Sequence, residues 1–283
     1  VVGLTPTYGL VSRYGLIDYA NSLDKIGVIG KTVFDVALVL SLIAGQDDRD
    51  STSLTTKKID YTRTKQSRTT SIAVPKEYFE QTDAAVEKAA WSMIHKLESN
   101  GIAYTEVSLP HTGYALAAYY IVATAEASTN LAKYCGMRYG LHEELKGDFN
   151  SYFSSVRSTG FGAEAKRRIM LGTFARMAGY RDAYYLKAMR IRTIIINEFK
   201  SLFKKYDAIA APTMPTLPPK LSEIRAMKPI EHYQMDVLTV PANLAGLPQL
   251  SVPVDKMAGL HLIGDHLAEQ KLVSLGTTVE GLL

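Results

Sequence analysis

Two charged positions in this sequence are candidates for recognising a small charged ligand. Arg168 follows Arg167 within a helical pattern, and a guanidinium can pair with a carboxylate through two parallel hydrogen bonds. Taken alone, neighbouring arginines on a helix are more typical of a solvated face. Asp236 stands before an apolar run that predicts a buried strand, and a carboxylate at the edge of such a strand either accepts from a ligand's ammonium group or caps a turn. The residues by themselves leave both interpretations of Asp236 open.

The other polar clusters favour structural roles. Asp47, Asp48 and Asp50 lie in an acidic turn that lacks the glycine and the distal glutamate of a calcium loop. The six histidines are far apart in the sequence, so no local metal site is predicted. Cys135 has no evident basic partner, which favours a structural thiol over a nucleophile. The basic residues within 182–205 predict a solvated helix face, with a nucleic-acid face as the minority alternative.

Length and composition narrow the class of protein. The chain has 283 residues, and its 32 basic and 28 acidic side chains leave a net charge of +4. This excess is too small to indicate nucleic-acid binding by itself. A single cysteine excludes an internal disulfide framework and favours a reducing compartment. Since no apolar run reaches the length of a membrane span, we predict a soluble, globular, cytoplasmic protein without a membrane partner.

The elements that must position these residues alternate between strands and helices. Apolar residues recur at helical spacing from Thr32, and Gly45 is predicted to close that helix. Residues 71–109 predict a βαβ unit, whose two strands pair in parallel through a right-handed crossover. Residues 54–70 are polar and predict a surface connection.

The second half of the chain continues this alternation. Helices are predicted over 115–134, 162–180 and 182–205, and further strands over 207–211, 250–253 and 259–264, before a closing helix from about Ala268. The fold class is therefore α/β, with a mixed, largely parallel sheet flanked by helices. Val1, Val2 and Leu4 resemble part of a buried strand. We accordingly expect the numbering to begin inside a longer protein, with 1–283 as a single incomplete domain.

Several longer stretches, in order along the chain, carry a resemblance to one known family. The most informative are Val-Gly-Leu-Thr-Pro-Thr-Tyr-Gly at 2–9, Lys-Arg-Arg-Ile-Met-Leu-Gly-Thr at 166–173 and Asp-Val-Leu-Thr-Val-Pro-Ala-Asn-Leu-Ala-Gly-Leu-Pro at 236–248. On these stretches the chain resembles the amidase signature family. Within that family it resembles the A subunits of aminoacyl-tRNA amidotransferases, which supply ammonia from glutamine.

The resemblance implies a mechanism that these residues do not complete. Family members use a serine nucleophile, a second serine in a cis peptide and a lysine base, all in a glycine–serine-rich region. That region lies upstream of the segment that matches Val1, and this sequence contains no such motif. The oxyanion-hole amides beside the nucleophile are missing with it. Because these groups together provide most of the rate acceleration, we assign no catalytic residue and expect the chain alone to be inactive.

The resemblance also implies which residues form a substrate pocket. It implies that Arg168 binds the α-carboxylate of glutamine and that Asp236 accepts a hydrogen bond from the α-ammonium group. One tyrosine of the pair Tyr119 and Tyr120 is expected to hydrogen-bond the substrate, and the sequence does not decide which. Together these residues would select a free amino acid.

The resemblance also implies partners. Ammonia would pass to a B subunit that uses ATP and magnesium to activate glutamate or aspartate on a misacylated tRNA, and a C subunit is expected as well. The tRNA would be contacted mainly through the partner subunit, and this chain itself would hold no cofactor and no metal. Two alternatives remain: a stand-alone amidase of the same fold that acts on other amides, and a non-catalytic binding or assembly subunit.

Overall fold

A computed structural model describes residues 1–63, 69–80 and 82–283. The strands among them are β1 (Val2–Thr5), β2 (Val28–Gly30), β3 (Ser71–Pro75), β4 (Ala103–Val107), β5 (Ala208–Pro212), β6 (Gln249–Pro253) and β7 (Gly259–Ile263). The α-helices are α1 (Val33–Ile43), α2 (Ala84–Ser99), α3 (Ala115–Asn130), α4 (Phe149–Gly160), α5 (Ala163–Arg176), α6 (Lys187–Phe203), α7 (Leu221–Ala226), α8 (Pro229–Gln234), α9 (Val240–Leu244) and α10 (Glu269–Gly281). The predicted α/β class is therefore confirmed.

The chain divides into two compact units. The first unit comprises Val1–Gly15, Lys25–Leu116 and Ile191–Leu283. It contains all seven strands, which form one sheet in the order β2-β1-β6-β7-β5-β3-β4. The second unit comprises Leu16–Asp24 and Ala117–Arg190 and is helical. The prediction that 1–283 forms a single domain stays a prediction.

The sheet is mixed, as predicted, but it is not largely parallel. Only β5-β3 and β3-β4 pair in parallel among the described strands, whereas β2-β1, β1-β6, β6-β7 and β7-β5 pair antiparallel. The βαβ unit formed by β3, α2 and β4 has the parallel register predicted for it. The last two strands form a hairpin across a short turn, and a short connection permits only antiparallel pairing.

One face of this sheet carries the main hydrophobic core. Helices α1, α2 and α10 pack there against apolar residues that alternate along the strands. On α2 the buried residues are the five that helical spacing predicts: Val86, Ala90, Met93, Ile94 and Leu97. The agreement between the predicted and the observed buried residues shows that hydrophobic periodicity alone is sufficient to orient this helix.

Local signals set the ends of α1. The Thr32 side chain accepts from the backbone of Asp35, and the Asp35 carboxylate accepts from the backbone of Thr32, which makes a capping box. The helix ends at Ile43 with Ala44 as the C-cap, so the prediction that Gly45 is the C-cap is displaced by one residue. Gly45 follows with a φ of 150°, a backbone conformation that other residues rarely adopt.

The predicted surface connection 54–70 is described only in part. Of this connection, residues 64–68 lie outside the described residues, and 54–63 are irregular, with Tyr61 buried.

Helix α4 has no counterpart among the predicted helices, because its polar and aromatic residues have weak helix propensity. Its first turn depends instead on the Asp148 side chain, which accepts from the N–H groups of Asn150 and Ser151. Among the described residues, no helix has the length and hydropathy required to cross a membrane.

A buried histidine on the strand β7 makes the first unit sensitive to acid. His261 is 1% exposed, and its Nε2 lies 3.0 Å from Gln249 Oε1. Burial, helped by the positive charge of Lys25, lowers the pKa of His261 to about 3. The imidazole therefore stays neutral in the folded chain while the unfolded chain takes up a proton near pH 6.5.

Stability should therefore fall as the pH is lowered from about 6.5 toward 3. The unfolded state binds the extra proton in this window, and the slope approaches about 1.4 kcal/mol per pH unit. His261→Gln should reduce this slope in urea unfolding measured at several pH values. His95→Gln, on the exposed side of α2, is the matched control and should leave it unchanged. An unaltered slope in His261→Gln would contradict the assignment.

Candidate functional site

Helix α5 carries the arginine that the sequence singled out. Its residues Ala163–Arg176 begin with Ala-Glu-Ala-Lys-Arg-Arg, all strong helix formers, and Gly162 is the N-cap. An acidic residue in the first turn and a basic residue in the last turn complement the helix dipole. Arg168 consequently lies on a regular helix, which fixes the direction of its side chain.

Helix α5 lies unusually close to α3. A Cβ atom placed on Gly172 would lie 1.8 Å from the carbonyl oxygen of Thr124 and 2.3 Å from its carbonyl carbon. Only glycine allows this approach of the two backbones. The contact sets the register of the pair, so that Arg168 lies beside Tyr120 and Arg176 lies beside Thr129.

Two hydrogen bonds orient the Arg168 guanidinium. Its Nε donates to Glu164 Oε1 at 2.8 Å, and its Nη1 donates to the hydroxyl oxygen of Tyr19 at 3.1 Å. Partial burial acts to lower the pKa of Arg168, but the hydrogen bonds to Glu164 and Tyr19 outweigh it and raise the pKa above its ordinary value. The side chain is therefore a permanent, oriented cation.

Aromatic rings surround this cation. The Arg168 Cζ atom lies 5.5 Å from the ring centroid of Tyr19 and 5.9 Å from that of Tyr120. The rings of Tyr119 and Tyr120 meet edge to face, with centroids 5.2 Å apart and planes at 87°. Of the two predicted tyrosines, Tyr120 has its ring within cation–π distance of Arg168.

The loop 16–24 presents Tyr19 to the arginine. Asp24 Oδ2 accepts from the backbone N–H groups of Tyr19 at 2.7 Å and Ala20 at 2.9 Å, which holds the loop as a compact turn. Asn130 Nδ2 donates to the carbonyl oxygen of Tyr19 at 2.9 Å and ties the loop to α3. Burial raises the pKa of the Tyr19 hydroxyl, and the hydrogen bond to Arg168 opposes that shift. Tyr19 is thus a neutral donor and acceptor.

Asp236 lies in the first unit, between α8 and α9. Its carbonyl oxygen accepts from the backbone N–H groups of Thr239 and Val240, both at 3.1 Å. The prediction that it precedes a buried strand is wrong, because Val240–Leu244 is the helix α9. Pro241 favours this outcome, since proline is well tolerated in the first turn of a helix. Its proposed contact with an ammonium group stays a prediction.

The carboxylates of Asp47 and Asp50 in the acidic turn after α1 are engaged in hydrogen bonds with neighbouring residues. Asp50 accepts from the N–H and the hydroxyl of Thr52 and from the N–H of Arg13, while Arg49 pairs with Asp47 at 2.9 Å. Hydrogen bonds from Arg49 and Ser12 lower the pKa of Asp47 to about 2. Within the described part of the chain, no group of three or more His, Cys, Asp or Glu residues is arranged to hold a metal.

Sequence reasoning missed two of the residues that contact Arg168. Glu164 could have been found, because it precedes Arg168 by four positions on a predicted helix and such pairs face each other. Tyr19 could not, because 149 positions separate it from Arg168 and no local pattern links them.

Comparison with known proteins places the chain in a family. The family model described as Amidase matches residues 1–273. The A subunit of glutamyl-tRNA(Gln) amidotransferase from Halothermothrix orenii is 48% identical over 100% of this chain and 61% of its own length. The protein of the same name from Archaeoglobus fulgidus is 46% identical over 99% of this chain and 60% of its own length.

A solved structure agrees with these relatives. The crystal structure of the glutamyl-tRNA(Gln) amidotransferase A subunit from Thermotoga maritima superimposes with a TM-score of 0.76 at 36% identity, covering 99% of this chain and 57% of that one. The chain thus spans about three fifths of the length of the relatives that it matches.

Proposed function

Because the chain belongs to the amidase signature family, we propose that it forms the glutamine-recognition part of an amidotransferase A subunit. The observation that supports this proposal best is the oriented, partly buried Arg168 cation with Tyr120 beside it. A fixed guanidinium suits the planar carboxylate of an amino acid, which it can bind through two hydrogen bonds.

In this proposal each polar group recognises one part of the substrate. Arg168 binds the α-carboxylate of glutamine, and Asp236 accepts from its α-ammonium group. Tyr120 hydrogen-bonds the substrate, while Glu164 and Tyr19 hold the arginine in position. A ligand that lacks either charged group would lose a charge-assisted hydrogen bond, which is worth about 1.5–3 kcal/mol.

Hydrolysis requires groups that this chain does not supply. Its sequence contains no glycine–serine-rich segment with the serine, cis-serine and lysine of the family mechanism. In a complete A subunit those residues would form an acyl-enzyme with glutamine and release ammonia. The ammonia would then pass to a B subunit that amidates Glu-tRNA(Gln) or Asp-tRNA(Asn) in the cytoplasm with ATP and magnesium, with a C subunit completing the assembly.

A substrate panel tests the proposal. The complete, assembled enzyme should hydrolyse glutamine far faster than aliphatic or aryl amides that lack the amino-acid group. Equal or faster hydrolysis of simple amides would favour a stand-alone amidase, which has no use for a clamp on both charged groups of an amino acid. Absence of hydrolysis with every amide, including glutamine, would favour the non-catalytic binding subunit.

The two neighbouring tyrosines should differ in their effect. Tyr120→Phe should raise the KM for glutamine about five- to tenfold, because one hydrogen bond of about 1 kcal/mol or slightly more is lost. Tyr119→Phe removes the same atom from the adjacent position and should leave the KM within about twofold. Steady-state glutaminase kinetics of the assembled enzyme measure both values. The reverse ranking would assign the contact to Tyr119 instead.

A further inference from the structure

The second unit contains a polar groove that the proposed glutamine pocket does not use. It has a volume of about 520 Å³ and lies between the end of α3, the loop at Asn21 and Ser22, and the segment that joins α5 to α6. Neither Arg168 nor either predicted tyrosine lines it. Its volume falls within the range of pockets that bind metabolites and cofactors.

Arg176 provides a fixed positive charge at the groove. Its Nη1 lies 3.3 Å from both the carbonyl oxygen of Ala125 and the hydroxyl of Ser128, and it also contacts the hydroxyl of Thr129. All three acceptors are uncharged, so they hold the guanidinium in place without neutralising it. Among the described residues, no carboxylate forms an ion pair with Arg176.

Arg181 adds a second positive charge to the same groove. It lies just before the wide helical turn Asp182–Leu186, and its backbone N–H donates to the carbonyl oxygen of Met177 at 3.0 Å. Its side chain is exposed and forms no ion pair with any residue that the structure describes. Two guanidinium groups therefore line one concave surface.

The one acidic side chain that lines the groove is already occupied, as far as the described residues show. Glu126 Oε2 accepts from the N–H of Ser22 at 2.9 Å, and its Oε1 accepts from the Ser22 hydroxyl at 2.6 Å. These bonds fasten the loop to α3. The lining residues therefore carry a net charge of +1, from two arginines and one glutamate.

Neutral polar groups complete the surface. The side-chain amides of Asn21 and Asn130 donate to each other's oxygens at 3.3 and 3.2 Å, and both residues line the groove with Tyr185. The guanidinium groups and the phenol are donors that suit the acceptor oxygens of an oxyanion, while the paired amides hold the loop against α3.

We propose that this groove binds a small ligand bearing an oxyanion, either a carboxylate or a phosphate, through Arg176 and Arg181. Arg176 makes the pre-oriented contact, which lowers the cost of ordering on binding. Arg181 supplies the second cationic contact, and both arginines are exposed to solvent. The inference is independent of the glutamine pocket and goes beyond the proposed function.

Direct binding to the 283-residue chain tests this proposal without an activity assay. Inorganic phosphate and succinate, a dicarboxylate without the amino group that the proposed glutamine pocket recognises, are titrated separately by calorimetry at low ionic strength, and the ligand that binds identifies the source of the oxyanion. Arg181→Ala should weaken that binding by about tenfold or more, because a charge-assisted contact is removed. Arg138→Ala, which removes an exposed arginine outside the groove, should leave it unchanged.

A second variant separates this groove from the proposed glutamine pocket. Arg168→Ala should retain binding of the same oxyanion, because Arg168 does not line the groove. A loss of glutamine recognition in this variant can therefore be told apart from a loss of oxyanion binding in the groove. The proposal is overturned if neither phosphate nor succinate binds saturably, or if Arg138→Ala weakens binding as much as Arg181→Ala. It is also overturned if only a long polyanion such as heparin or an RNA oligonucleotide binds, with no competition from the small anions.

Discussion

Replacing Arg168 with alanine in the complete, assembled enzyme should raise the KM for glutamine by about 30- to 100-fold. The variant leaves the substrate carboxylate without its cationic partner, and truncation of one member of a hydrogen-bonded charge pair costs about 2–5 kcal/mol. We expect the lower part of that range, because 28% of the Arg168 side chain remains exposed to solvent. Steady-state kinetics with glutamine measure the change.

Two further variants make this test specific. Arg167→Ala removes the neighbouring, more exposed arginine and should change the KM by less than about threefold. Arg168→Lys keeps the charge but loses the planar fork, so its KM should lie between those of the wild type and Arg168→Ala. An unchanged KM in Arg168→Ala would remove this residue from the substrate pocket.

Gly172→Ala should destabilise the second unit by about 3 kcal/mol or more. In an isolated helix this substitution would stabilise by about 1 kcal/mol, because glycine is a poor helix former. Here the added methyl group would overlap the backbone carbonyl of Thr124, which no side-chain rotation can relieve. The helices α3 and α5 must therefore separate, and Arg168 should move away from Tyr120. Urea unfolding of the chain measures the loss of stability.

Gly160→Ala is the matched control for this effect. Gly160 is also helical and lies in the same unit, but the atom nearest to a methyl group added there is Leu141 Cδ2 at 3.6 Å, an ordinary contact distance. Its substitution should leave stability unchanged or slightly improved. If Gly172→Ala behaves in the same way, the close approach of α3 and α5 is not a determinant of the fold.

Much of the secondary structure could be predicted because its signals are local. The buried stripe of α2 and the capping residue Thr32 both follow from side chains within a few positions of each other. The pairing of Glu164 with Arg168 belongs to the same class, since one helical turn separates them. The resemblance to the amidase signature family added Arg168, Asp236 and the tyrosine pair, which no local pattern identifies as a pocket.

Other features required contacts between distant segments. The run that follows Asp236 reads as a strand from its β-branched residues, yet Val240, Pro241, Ala242 and Leu244 are buried as a short helix. The direction of each strand likewise depends on which neighbours it reaches, and four of the six pairings among the described strands are antiparallel where a largely parallel sheet is the expectation.

Local sequence signals were sufficient for the α/β class and for most helix and strand positions, whereas the candidate site residues came from the family resemblance. Periodicity and capping are properties of neighbouring residues, so they can be recognised without the fold. Contacts between distant segments were needed to show that Tyr19 orients Arg168 and that Tyr120, of two adjacent tyrosines, lies within cation–π distance of it. The contact between Arg168 and Tyr120 depends on the packing of Gly172 against Thr124, because the register of two helices is set where their backbones meet.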